Sequence, residues 1–139
     1  MKMIILTGVT AAVMLCSDAV IIPFVMRPLF LTYLGPLMLD SLRLIPAVLF
    51  YAIHIFGLVY LAGLPALRDG NSKTGALNGA VLGFVAYSCY EMTSWTIMRD
   101  WNVTLVIVDI IWGTLISSLS AFLGALVILR AFDVLGDKH

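Results

Sequence analysis

The 139 residues are 62% hydrophobic and only 12% charged, with a mean hydropathy of +1.07, whereas a soluble domain is about 45–50% apolar and about 25% charged. Eight Lys/Arg cancel eight Asp/Glu, so no basic patch tracks a phosphate backbone, and two cysteines give neither a disulfide framework nor a zinc spacing. Disorder, nucleic-acid binding and an ordinary cytosolic enzyme are thereby excluded, and a single-domain integral membrane protein in a lipid bilayer remains.

A helix needs about 20 apolar residues to cross a hydrocarbon core of roughly 30 Å. The first such stretch is 3–25. Lys2 and the apolar run behind it resemble a secretory leader, but the pattern resumes at Ala19 and completes a span, so cleavage is not expected. A lipid anchor on Cys16 is not expected either, because bulky Leu15 precedes it. Residues 26–43 hold Pro28 and Pro36 among Leu29, Phe30, Tyr33, Leu34, Leu37 and Met38, and read as a connection lying in the membrane interface.

The second span is expected at 44–64, ending at Pro65, with the polar turn RDGNSK (68–73) after it. The third is expected at 74–98, a tight turn at 99–102, the fourth at 103–129 and a short polar tail at 131–139. These elements predict an all-α integral membrane protein with four transmembrane helices in an up-down bundle, both termini on the same side. The termini's face would carry Lys2, Arg68, Lys73, Arg130 and Lys138, the other Arg27, Arg43 and Arg99. That bias points the termini to the cytoplasm.

Gly75, Gly79 and Gly83 form two overlapping GxxxG steps in the third helix, and Gly113, Ser117, Ser120 and Gly124 line one side of the fourth. Small residues at this spacing let helices approach closely in lipid. They serve packing within one bundle or, alternatively, a homo-oligomer or larger membrane complex.

Asp18, His54, Glu91 and Asp109 fall inside the expected spans. A charge there costs at least about 2.5 kcal/mol on insertion scales. Counted from the outer span ends at 1.5 Å per residue, the four lie roughly 9–15 Å deep, one per helix in a common layer. Tyr51 shares a face with His54, Tyr87 and Tyr90 accompany Glu91, Trp112 follows Asp109 by three, and Thr93 and Ser94 add hydroxyls. Such groups can satisfy carboxylates in a dry environment. Three carboxylates at one depth cannot all be ionised cheaply. Some carry a proton, or a cation or donor network compensates. Alternatively the layer is a hydrogen-bonded core that only fixes helix register. Cys16 and Cys89 read as packing residues, Trp95 and Trp101 as interfacial anchors, and His139 as an idle tail residue. No metal-ligand spacing, nucleophile elbow, phosphate loop or CxxC occurs, so catalytic residues and cofactors stay unassigned.

From Phe50 to Gly113 the chain resembles the DUF2177 family of bacterial membrane proteins. Phe50-Tyr51, Gly57 and Pro65-Ala66-Leu67 carry the resemblance, followed by Gly79, Gly83, Ala86-Tyr87, Tyr90, Thr93, Trp101, Asp109 and Trp112-Gly113. Asp18 extends it to the first helix. Two departures are Glu91, where the family has Asp, and Ile21, where it often has Trp. The resemblance implies four helices in a bacterial cytoplasmic (inner) membrane and groups Asp18, Tyr87, Tyr90, Glu91, Thr93, Asp109 and Trp112, but implies no activity.

Three functions stay open: a site that binds or conducts a proton, cation or small polar ligand; an enzyme modifying a lipid or isoprenoid, with Glu91 or Asp109 as acid or base; or an accessory subunit whose connection 26–43 docks a partner. An apolar cleft beside the carboxylates would favour the second over a solid polar layer.

Overall fold

The computed structural model describes the backbone of residues 1–136 and the side chains of residues 1–132; Lys138 and His139 lie outside the described residues. All regular structure among the described residues is helical. Helix α1 (Lys2–Ile21), a wide π turn (Ile22–Met26), α2 (Arg27–Leu34) and a 3₁₀ turn (Gly35–Leu37) follow one another without a break. Pro23 and Pro28 have no N–H to bond the preceding turn, yet their fixed φ suits a helix. The π turn absorbs the mismatch, with the Arg27 N–H bonding the Ile22 carbonyl. This corrects the expected break at residue 25: the chain is helical to Leu37, and only 38–43 connects onward. At 1.5 Å per residue the run would reach about 54 Å, well beyond a hydrocarbon core.

The second run is α3 (Leu44–Leu58), a π turn (Val59–Gly63) and α4 (Leu64–Arg68). It passes through Pro65, where an end was expected. Pro65 cannot bond the Leu61 carbonyl, and Asn78 on the neighbouring helix donates to that oxygen instead at 3.2 Å. Gly70 at φ +61° then turns the chain. Asn71 caps α5 (Ser72–Ile97) by accepting from the Lys73 N–H at 3.0 Å. Asn102 does the same at the start of α6 (Val103–Gly136), from Thr104 at 2.8 Å. The tail expected from 131 is helical as far as Gly136, since nothing in 130–135 breaks a helix.

Three runs are long and apolar enough to cross a membrane: Lys2–Leu37, Leu44–Arg68 and Val103–Phe132. α5 has the length, but Lys73, Asn78, Ser88 and Glu91 make it more polar. Its buried stripe explains this composition: Gly75, Gly79, Gly83, Glu91 and Ser94 face inward.

That stripe seats α5 antiparallel against α6. A Cβ on Gly75 would meet the Ala121 carbonyl at 3.0 Å, and one on Gly79 the Ser117 carbonyl at 2.6 Å; Gly83 lies equally close to Gly113. The glycines are thus spent on contact within the chain. α1 packs on α6 through Leu6 and Thr10 against Gly124, and the π turn Val59–Gly63 approaches Leu6 at Gly63. Leu6, Met14, Leu58, Ala62, Ile116 and Ala121 form the core, each at most 1% exposed. A second cluster, Leu34, Trp101, Leu105 and Val106, sits at the α5–α6 turn under α2.

Candidate functional site

Asp18 ends the buried stripe of α1 that begins at Leu6, Thr10 and Met14. It is 3% exposed, and two neutral donors hold it. The Tyr51 hydroxyl of α3 donates to one carboxylate oxygen at 2.9 Å, and the Trp112 indole N–H of α6 to the other at 2.8 Å. Three helices are thereby tied at one point. His54, one turn beyond Tyr51, pairs through Nε2 with the Ser117 hydroxyl at 2.9 Å and stacks on Phe50. The Tyr87 ring packs edge-on against His54 and lies flat over Gly113, where even a methyl group would overlap it. The glycine of the Asp-x-x-Trp-Gly segment therefore sets the position of Tyr87.

Glu91 is fully buried. Its Oε2 accepts from the Trp101 indole N–H at 2.7 Å, while Oε1 has no partner among the described residues. The α5–α6 register explains what faces Oε1. With Gly75, Gly79 and Gly83 opposite Ala121, Ser117 and Gly113, the next turns bring Tyr87 opposite Asp109 and Glu91 opposite Leu105. Side chains lean toward their own helix N-terminus, so in antiparallel helices Glu91 and Asp109 lean toward each other. The two carboxyl groups are thereby brought together between the helices. Two carboxylates repel by about 4 kcal/mol at 4 Å, even at an effective dielectric of about 20. Asp109 is 8% exposed, and no side-chain hydrogen bond to it is found among the described residues.

Asp109 instead borders a cavity of about 1050 Å³. Its walls are mostly apolar and aromatic, among them Ile22, Met26, Phe30, Phe50 and Ile53. Asp18, Asp109, Tyr87 and Tyr90 stand along it, and among the described residues Arg27 is the only Lys or Arg lining it. The cavity opens where α3 leaves the bundle: every residue from 39 to 50 is exposed. Exposed Arg27 and Asp40 belong to its rim.

Asp18, Tyr51, His54, Tyr87, Tyr90, Asp109 and Trp112 all line this one space, with Glu91 directly behind Asp109. Thr93 does not join them: it is exposed, because two residues past Glu91 is the opposite side of a helix. Trp101 corrects another expectation. It is 7% exposed, wedged between Phe30 and Tyr90, and bonds Glu91 rather than anchoring at an interface. Trp95 is exposed. Cys16 and Cys89, read as packing residues, are exposed as well. Sequence reasoning did not assign Ser117, Phe50 or Arg27 to the site. Ser117 was visible only as a small residue for packing, Phe50 only as part of the family resemblance, and Arg27 only as a charge of the outer face. Among the described residues no group of three His, Cys, Asp or Glu side chains is placed to hold a metal ion.

No curated protein and no solved structure matches the chain. A family model described as a predicted membrane protein, DUF2177, matches residues 3–126. It covers the Asp18–Tyr51–Trp112 junction and the Glu91–Asp109 pair alike, and the chain belongs to the DUF2177 family of membrane proteins.

Proposed function

We propose that the chain is a four-pass protein of the bacterial inner membrane, with both termini cytoplasmic, that binds an amphiphile carrying a cationic head. The observation behind this reading is the cavity: an apolar cleft beside the Asp109 carboxylate, to which no side-chain hydrogen bond is found among the described residues; such a cleft suits a lipid-like molecule, whether it is bound or modified there. A buried charge left unpaired is costly, and a ligand that pairs it recovers that cost. Asp18 already holds two donors, so Asp109 is the free position. An ammonium suits it better than an anion, since two of the three buried ionisable lining groups are acids, Asp18 and Asp109 beside His54, and Arg27, the one Lys or Arg lining it among the described residues, stands at the rim. The exposed segment 39–50 supports entry of the apolar tail from the bilayer side. α5 counts as the fourth span in this reading, its polar stripe being turned onto α6. The five-to-three distribution of Lys and Arg supports the orientation.

The test is binding of dodecylamine, dodecanol and dodecanoic acid to the protein in lipid nanodiscs. A hydrogen bond to a charged group contributes about 1.5–3 kcal/mol, or roughly 10- to 100-fold in affinity. The amine should bind tighter than the alcohol by that factor, and Asp109→Asn should abolish the difference while the far-UV spectrum stays unchanged. Equal affinity of the wild type and Asp109→Asn for the amine would refute the assignment.

A further inference from the structure

We propose that Glu91 and Asp109 hold one proton between their carboxyl groups, and that an ammonium head arriving at Asp109 expels it. The second half rests on the ligand reading above; the first does not. Glu91 is 0% exposed, with one oxygen bonded to Trp101 and the other without a donor. Orphaned buried acceptors are rare in native proteins. The group toward which Oε1 leans is itself a carboxyl, which accepts and cannot donate unless it carries a proton. A single O–H between the pair satisfies both acceptors and removes one of two adjoining charges.

The other groups around the pair do not replace this proton. From α1 comes Asp18, an acid already bonded by Tyr51 and Trp112. α2 contributes Arg27 at the exposed rim and Tyr33 in the cluster around Trp101. Asp40 of the connection is at the rim too. α3 contributes Tyr51, committed to Asp18, and His54, committed to Ser117. α5 adds Tyr87, whose ring is held over Gly113, and Tyr90, whose ring packs on Trp101. Glu91, itself fully buried, adjoins the cluster of Leu34, Leu105 and Val106 through its bond to Trp101. When an ammonium pairs with Asp109, the shared O–H bond breaks, the proton leaves through the cavity to the buffer, and the N–H donors of the ammonium take its place between the two carboxylates. Ligand uptake and proton release are then linked one to one.

Infrared spectroscopy of the ligand-free protein at pH 7 tests the first half. A protonated-carboxyl C=O band is expected in the wild type. It should vanish in Glu91→Gln and, separately, in Asp109→Asn, because either amide donates to the remaining carboxylate. No such band in the wild type, or a band that survives both variants, overturns the shared proton whatever the ligand is. Calorimetry with dodecylamine in buffers of different ionisation enthalpy tests the second half. About one proton should be released per amine bound, falling to none in Glu91→Gln, which should still bind. Binding by the wild type without proton release would overturn the coupling. An absence of amine binding with the infrared band intact would instead refute the ligand reading and leave the pair standing.

Discussion

In the half of the bundle that contains the N-terminus, α1, α5, α6 and the π turn Val59–Gly63 touch through Gly, Ala and Ser, and Leu6, Leu58 and Ala62 are sealed from outside. In the half beyond Tyr51, α3 departs and every residue from 39 to 50, connection and helix start alike, is exposed, while α1 and α6 continue together and carry Asp18 and Asp109. The same bundle thus closes tightly at one end and holds a cavity open at the other. In lipid, apolar burial gives little drive to association, so close backbone contact and hydrogen bonding decide where helices meet. The second run follows this rule: it stays with the bundle where Gly57, Gly63 and His54 permit contact, and leaves where Leu44, Ile45, Val48 and Leu49 offer none. The open end is where polar groups stand in the walls of an apolar space.

That contrast can be broken most severely at the closed end. Gly79→Leu sets a side chain against the Ser117 carbonyl, where a Cβ alone comes to 2.6 Å. It should cost more than the roughly 1–3 kcal/mol of ordinary overpacking and abolish a cooperative melt. Val48→Leu at the open end, on a residue 65% exposed, should leave the melting temperature unchanged. A similar response from both would mean that the two halves do not differ.

A smaller effect is expected where the cluster under α2 meets the site. Trp101→Phe keeps the ring between Phe30 and Tyr90 but removes the donor to Glu91. Leaving that oxygen unsatisfied should destabilise the protein by about 1–3 kcal/mol, read from thermal unfolding in a fixed detergent. Glu91→Gln in the same background should recover part of the loss, since a neutral amide is less costly to bury than a charge. Smallest of all is Tyr51→Phe. Asp18 keeps its Trp112 bond, and the loss should be about 1 kcal/mol. A larger drop would mark Tyr51 as the main tie between α3 and α1.

That Asp18, His54, Glu91 and Asp109 come to one end of the bundle is legible in the sequence, because helix rise and span length convert residue counts into position along a helix. The Gly75–Gly79–Gly83 stripe is legible as packing, though not its partner, since GxxxG spacing serves any close helix. Trp101 was not legible as a ligand of Glu91: a tryptophan beside a turn has the same appearance whether it faces headgroups or folds back under α2. The breaks expected at residue 25 and at Pro65 failed for a related reason. A proline ends a helix unless a wider turn or a neighbour's donor serves the freed carbonyl, and Asn78, thirteen residues after Pro65, supplies that donor. The cavity itself is invisible in the pattern, because a residue facing lipid and one facing an apolar cavity are equally hydrophobic.

The most direct measurement is an experimental structure of the protein in a bilayer mimetic with dodecylamine. The amine nitrogen should lie within hydrogen-bonding distance of the Asp109 carboxylate, with the alkyl chain running past Phe50 and Ile53 toward the exposed start of α3. An amine bound elsewhere, or α3 packed down so that Asp109 has no open space beside it, would contradict the assignment of this end of the bundle as a binding site.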